Sequence, residues 1–291
     1  MAKGQSNRPA EIFGYPIGNK SDEAQDARQR QWCPFINKPC DKRSGLVDYP
    51  LGVCSVEHQK EFSAICPHRF EEQGTIQGIP QVLEDIVLHY FGDLDNIVPF
   101  SGIKLPYVGM INYILIRYKP IKAEIDDFVM VEFQPNSVSE IKRVVQARHD
   151  FAAGLDIRDQ NYSFSINTYD TFKRLIPQLL NKGIVYEAWN IKGYWVIQER
   201  VYANLVKQYG FKESGYSPEH ASRLALYNLA PLDDRLILTP SRYISTIVDE
   251  VYQIMRNNPG LPSKDEFVQI LNTKLRAKLI GNLGKLMRTI V

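Results

Sequence analysis

The chain has 291 residues, 44% of them apolar, and a formal charge of +2 from 35 Lys plus Arg against 33 Asp plus Glu. That make-up describes an ordinary globular protein of one large or two small domains, and it excludes fibrous, disordered and membrane-spanning classes. So small a charge also excludes a histone-like binder, so any nucleic-acid surface must be local. The first thirty residues hold no apolar run fit for a secretory leader, and no stretch of about eighteen apolar residues occurs, so a cytoplasmic protein with no membrane partner is expected.

In chain order, the first feature is a cysteine cluster. Cys33, Cys40, Cys54 and Cys66 are the only four cysteines and are separated by 6, 13 and 11 residues. Two disulfides would need an oxidising compartment, whereas four thiolates around one tetrahedral metal suit a reducing cytosol. Neither pair has the short C-x-x-C spacing of common zinc ribbons. Pro34, Pro39, Gly45, Pro50, Gly52 and Pro67 make the segment turn-rich, with little regular structure to build its own core, so a metal clip would supply folding energy. Ligand chemistry makes zinc the default, and a tetrathiolate site also holds iron. His58 and His68 are the nearby residues able to replace a thiolate. A closed site of this kind is structural, which places the chemistry elsewhere.

Beyond the cysteines the spacing predicts a helix over 81–93, with Val82, Ile86, Val87 and Tyr90 on one face and Gly92 as its stop. Two central strands are expected at 108–118 and 125–134, the second ended by Pro135. Ser137 and Glu140 have capping-box spacing for a helix that turns Val138, Ile141, Val145 and Phe151 inward. A further helix is expected over 168–182, buried through Phe172, Leu175, Ile176 and Leu179, kinked at Pro177 and stopped at Gly183. Residues 184–189 and 194–198 read as strands, and 199–209 as a helix capped by Gly210. After Glu219 the pattern reads as mainly helical, with a short strand at 236–239 and helices from near Ser241 and Ser263. The last helix has Phe267, Ile270, Leu271, Leu275 and Leu279 on one face and a capping box at Ser263 and Glu266. Residues 264–291 hold six basic and two acidic side chains, read as a solvated surface, or more sharply as a helix near a phosphate backbone or a subunit partner. No phosphate-cradling glycine loop occurs, which argues against a nucleoside-triphosphate or dinucleotide enzyme.

On the second central strand, VEFQ sends Glu132 and Gln134 to one side and Val131 and Phe133 to the other. Oxygen-bearing side chains at the end of an apolar strand suit a divalent ion that activates water for phosphodiester cleavage. The earlier strand should add an acid some twenty positions upstream, where VGMINYIL offers Asn112.

EIFGYP near the start, CPF at Cys33, GVC at Cys54, ICPHR at Cys66 and VEFQ at Glu132 follow the order and spacing of NotI-type restriction endonucleases, a group that includes EagI-like enzymes. The chain resembles that family over nearly its whole length. The resemblance implies an α/β fold with a PD-(D/E)-x-K nuclease-like mixed sheet flanked by helices, in which Gln134 replaces the usual lysine. It further implies a bacterial homodimer that makes a magnesium-dependent double-strand cut at a GC-rich palindrome, with iron rather than zinc on the four cysteines. The expected organisation is a four-cysteine metal module at 1–78, a catalytic core at 79–230 and a mainly helical region at 231–291. In the family, the position matching Asn112 is an aspartate that binds the catalytic magnesium. With aspartate there, the two carboxylates would hold the ion, the ion would lower the pKa of a bound water, and Gln134 would position that water for in-line displacement. Asparagine keeps the shape without the charge, so the chain is expected to be an engineered inactive form or a natural variant of weakened activity. Glu84 is a candidate for an additional metal contact. Arg143, Arg148, Arg158, Lys173 and Arg174 are the expected DNA contacts. The competing classes are a non-catalytic, metal-stabilised DNA- or RNA-binding protein, which would carry Asn112 naturally, and a structural zinc protein that engages only proteins.

Overall fold

The computed structural model describes residues 7–76, 78–211, 215–257 and 263–289. Residues 1–6 and 290–291, the ends of the first and last expected segments, lie outside these. The N-terminal part contains β1 (Arg8–Ile12), β2 (Tyr15–Pro16), α1 (Asp22–Gln29), β3 (Trp32–Cys33), β4 (Lys38–Pro39), β5 (Val53–His58) and β6 (Glu61–Ala64). Four of the strands form one antiparallel sheet in the order β2-β1-β5-β6, and β3 pairs with β4 as a separate ribbon.

The main sheet follows. After α2 (Gln81–Phe91) come β7 (Ile97–Leu105), β8 (Gly109–Lys119), β9 (Glu124–Phe133), α3 (Ile141–Ala152), α4 (Thr168–Trp189), β10 (Lys192–Gln198), α5 (Glu199–Tyr209), β11 (Ser222–Leu232), β12 (Arg235–Thr246), α6 (Val248–Arg256) and α7 (Lys264–Thr289). Six strands pair in the order β12-β11-β10-β9-β8-β7, with β9-β10-β11 parallel and the flanking hairpins antiparallel. The protein is therefore mixed α/β, with seven α-helices among the described residues. One sheet face packs α2 through Val82, Leu83, Ile86 and Val87 against Val129, Val131, Tyr194 and Val196. The other packs α4, α5 and α6 against Met130, Trp195, Ile197 and Leu224. Alternation along β9 and β10 sends neighbouring residues to opposite cores. No helix among the described residues is long and apolar enough to cross a membrane.

The helices α2 and α5 end where their glycines predict: Gly92 and Gly210 adopt left-handed conformations at φ 86° and 68°, and each donates back to the last turn. Other expectations fail for identifiable reasons. Ser137 does not cap α3; its hydroxyl donates to Asp170 Oδ2 at 2.7 Å, and Glu140 precedes the helix at φ 51° without a side-chain cap. The helix α4 does not stop at Gly183. It continues to Trp189, absorbing the expected strand at 184–189, because Gly183 packs against α6 and Tyr186 against β10. A Cβ on Gly183 would lie 2.9 Å from Val248 Cγ2, and one on Gly193 would lie 2.1 Å from Tyr186 Cε2. The Tyr186 ring is fully buried, so Gly193→Ala is expected to destabilise the fold by about 1–3 kcal/mol through overpacking. Urea unfolding checks this, and an unchanged midpoint would contradict it.

The region after residue 219 opens with strands before its two helices. The long β11–β12 hairpin forms the edge of the main sheet, so the strand expected at 236–239 is part of the longer β12, and the helix expected from near Ser241 begins only at Val248. Ser263 does open α7 with a reciprocal capping box: its hydroxyl accepts from Glu266 N–H, and Glu266 Oε2 accepts from Ser263 N–H, each at 3.1 Å. The apolar stripe of α7 is not buried, since Phe267, Ile270, Leu271, Leu275 and Leu279 are all exposed.

Candidate active site

The antiparallel register of β8 with β9 pairs Tyr113 with Val131 as its last rung at this end. One step further, Asn112 stands opposite Glu132, so two residues twenty apart in sequence are brought side by side where the strands part. Asn112 Oδ1 accepts the backbone N–H of Phe133 at 2.9 Å. Glu132 is buried and accepts from the backbone N–H of Asn112. It also pairs with a residue not foreseen from the sequence: Lys182 of α4 places Nζ 2.5 Å from Glu132 Oε1 and 2.7 Å from the carbonyl oxygen of Met110. Burial holds the Glu132 carboxyl above the usual carboxylate range, and the Lys182 ammonium opposes that rise. Gln134 is buried just past the strand end, its backbone N–H bonded to Val196 O at 3.0 Å and its side-chain amide facing Pro135 O at 3.5 Å.

Lys182 had a signal in the sequence. It lies three residues after Leu179 and seven after Leu175, on the stripe that buries both, where a lysine needs a partner. A second unforeseen residue is Gln198 at the end of β10. Its Oε1 accepts from Ala64 N–H at 2.7 Å and Asn136 Nδ2 at 2.6 Å, and its Nε2 donates to Phe62 O at 3.1 Å. This buried amide ties the N-terminal sheet to the segment leaving β9. Glu84, by contrast, is not at the site: it accepts Thr75 N–H and Oγ1–H and Ile76 N–H, pinning the turn before α2.

Of the five expected DNA contacts, Arg174 lies nearest the site. Its guanidinium donates to Pro135 O at 3.1 Å and Ser137 Oγ at 2.7 Å, just beyond Gln134. Lys173 is exposed on the same helix, with Nζ 4.4 Å from the Tyr169 ring, and Arg143 is exposed on α3. Arg158 is exposed but paired with Asp156 at 2.5 Å. Arg148 is only 8% exposed and stacks over Phe13 at 5.1 Å.

Cys33, Cys40, Cys54 and Cys66 are all buried free thiols. Burial pushes Cys33 up to about 11 and Cys66 up to about 12, and raises Cys40 and Cys54 as well. Backbone N–H groups point at each sulfur: Gly14 at Cys54 (3.3 Å), Phe35 and Ile36 at Cys33, Lys42 and Gly52 at Cys40, and His68 at Cys66. Neither nearby histidine is free to replace a thiol, because His68 lies 2.7 Å from both Asp41 and Glu71, and His58 Nδ1 lies 2.9 Å from Arg200.

Among the described residues, no group of three or more His, Cys, Asp or Glu is arranged to hold a metal ion. For the cysteines, the sulfur donors with their N–H bonds suit a soft metal, but their placement does not form a closed ligand group. At the end of the main sheet the charge count decides the question. Glu132 carries the negative charge, Lys182 cancels it, and Asn112 and Gln134 contribute only amide groups. This set does not fit a hard divalent cation, which needs net negative oxygen donors.

The family model described as restriction endonuclease NotI matches residues 11–214, more than half of the chain. The matched span takes in all four cysteines, Asn112, Glu132, Gln134 and Lys182; the β11–β12 hairpin, α6 and α7 lie beyond it. No curated protein matches the chain.

Proposed function

From the premise that the chain belongs to the NotI restriction endonuclease family, we propose that it binds double-stranded DNA as a type II site-specific endonuclease whose hydrolytic centre lacks one metal-binding carboxylate, at Asn112. The observation that carries this reading is the pairing of Asn112 with Glu132 across the parting β8 and β9 strands, with Gln134 two residues on. The main sheet then serves as a PD-(D/E)-x-K type core. Asn112, Glu132 and Gln134 are its catalytic positions, and magnesium is the ion used once aspartate stands at 112.

In the chain as it is, Asn112 orients the Phe133 backbone through Oδ1, and Glu132 is neutralised by Lys182. Both leave the DNA path without the negative charge that would repel phosphates. Arg143, Lys173 and Arg174 are the DNA-facing cations in this reading, with Arg174 already poised over the strand end. A homodimer would match a GC-rich palindrome by two-fold symmetry. The second reading, a DNA-binding protein that never cuts, is favoured by the engagement of Glu132 with Lys182. The two readings part on whether aspartate at 112 restores cleavage.

Binding is tested first. Random duplexes selected on the full chain should converge on one palindromic, GC-rich sequence, and Arg174→Ala should weaken that binding about tenfold. A pool with no enriched sequence would contradict site-specific recognition.

We also propose that residues 1–78 form one unit, whose four buried thiols would have to draw together to hold iron or zinc. The support is the burial of all four thiols and the backbone N–H groups aimed at their sulfurs. Elemental analysis of protein purified without chelator should find about one iron or zinc per chain. Cys54→Ser should lower that content severalfold, and a metal-free wild-type protein would exclude the site.

A further inference from the structure

The β7–β8 hairpin runs on past the main sheet. The strand β9 leaves β8 at the Tyr113–Val131 pair, whereas β7 and β8 stay paired through Ile103–Ile111 and Lys104–Met110 to Leu105–Gly109. Asn112 therefore stands at the root of a two-stranded ribbon that β9 does not join. The ribbon is held on α4: Ile111 is fully buried, Leu105 packs against the same core, and Met110 O accepts from Lys182 Nζ at 2.7 Å. Three strand steps carry it about 10 Å from Asn112 to its last rung at Gly109, and the turn adds more. At the tip, Val108 N–H donates to Leu105 O at 3.2 Å, closing a turn with Pro106 second and Tyr107 third. That third position has φ 64°, where glycine is the usual residue and a tyrosine is strained. Packing does not explain the ring, because Tyr107 is fully exposed. Ile103, Lys104 and Met110 are exposed beside it, and residues 101–110 include no acidic side chain. Across from Asn112, between the Ser101–Tyr113 and Ile103–Ile111 pairs, Gly102 at φ 65° leaves open space: a Cβ there would meet nothing nearer than Met110 Cε at 3.9 Å.

We propose that this ribbon, residues 101–110, is a DNA-reading arm that enters the major groove beside the hydrolytic centre, with Tyr107 against base edges and Lys104 on a phosphate. The inference rests on the reading of the chain as a DNA-binding protein whose centre lies at Asn112 and Glu132. A two-stranded ribbon fits the major groove, about 12 Å wide, and not the minor groove, about 6 Å wide. A phosphate at Asn112 stands on the groove wall, and the ribbon's reach of about 10 Å exceeds the groove depth of about 8.5 Å. The tip therefore meets the bases beside that phosphate. Without acids the ribbon can pass between two phosphate backbones, and its hold on α4 fixes the direction of approach. Tyr107 brings an apolar ring and a hydroxyl, which together serve base-edge contact, so it determines specificity and takes no part in the chemistry.

The test uses the full-length chain as it stands, with no metal added. Duplexes are selected from a random pool on the parent, on Tyr107→Gly and on Lys104→Ala. Glycine suits φ 64°, so Tyr107→Gly should melt no lower than the parent, and a loss of binding is then not a loss of fold. Tyr107→Gly is expected to weaken binding to the parent's selected sequence about tenfold and to relax the preference at the base pair it meets. Lys104→Ala should weaken binding alike for all sequences and lower the salt slope by about one. Benzoylphenylalanine in place of Tyr107 should crosslink to bases of the selected site. The same probe in place of Ile121, which is 99% exposed just past the other end of β8, should not. If the parent selects a sequence and Tyr107→Gly selects the same one as tightly, or if position 107 does not crosslink, the arm is wrong while DNA recognition stands. A parent that binds no duplex overturns the DNA reading, and the arm falls with it. Weaker binding that tracks the loss of a DNA-free dimer in sedimentation would make the ribbon a subunit contact and overturn the proposal.

Discussion

Asn112→Asp is expected to convert a chain that binds DNA without cutting it into one that cuts in magnesium, with a rate gain of about 10²–10³-fold or more. The side chains are nearly isosteric, so the change is electrostatic. One aspartate oxygen can keep the 2.9 Å bond from Phe133 N–H that Asn112 Oδ1 now accepts, while the second replaces the amide nitrogen. The charge count at the strand end then moves from zero to minus one. At about 4 Å and an effective dielectric of about 20, each unit charge is worth about 4 kcal/mol to a neighbouring unit charge, and twice that to a dication. That difference is ample to decide whether a hard cation stays. The present chain and Asn112→Asp, assayed in parallel on DNA containing the selected site, give the ratio; equal inertness would mean that another position supplies the carboxylate.

The second large effect concerns the joint between the N-terminal sheet and the main sheet. Arg69→Met is expected to destabilise the protein by about 3–5 kcal/mol, read as a lowered urea midpoint. Arg69 and Glu11 are 0% and 1% exposed, with Nε 2.9 Å from Glu11 Oε2. The guanidinium also reaches Glu72 Oε2 at 2.7 Å and the carbonyl oxygen of Leu236 on β12, and it lies 4.8 Å from the Phe35 ring. Methionine fills the volume and leaves Glu11 with Ser55 Oγ as its donor (2.6 Å). Burial already raises the Glu11 carboxyl, and without the arginine it must take up a proton or stay charged and unsolvated. Glu11→Gln in the Arg69→Met background should recover part of the loss. An Arg69→Met midpoint equal to that of the parent would show that the buried pair does not hold the joint.

These residues also mark where the sequence could and could not be read. Period-two alternation in β9 and a clean apolar face in α2 are local signals, and they gave both the strand that carries Glu132 and Gln134 and the helix that covers it. The β-rich run Ile184–Trp189 misled because packing of Gly183 on α6 and Tyr186 on Gly193 overrode its propensity. In β7, Pro99 and Gly102 obscured an edge strand where both are tolerated. Of the β11–β12 hairpin only 236–239 was read as strand, because the first six residues of β11 are all buried and hide its period. Position 112 could be aligned with Glu132 by counting along two strands. Lys182 could not, because its role exists only once α4 packs on the sheet face that carries Glu132.

The proposed function makes this fold a site-specific nuclease stalled at one position. Incubation of the Asn112→Asp protein with a plasmid of known sequence and magnesium, followed by sequencing of the ends, tests it most directly. The expected ends lie at a single GC-rich palindrome, at the same offset on both strands, and are absent without magnesium. Ends scattered without sequence preference, or no ends beyond those made by the parent chain, would contradict it.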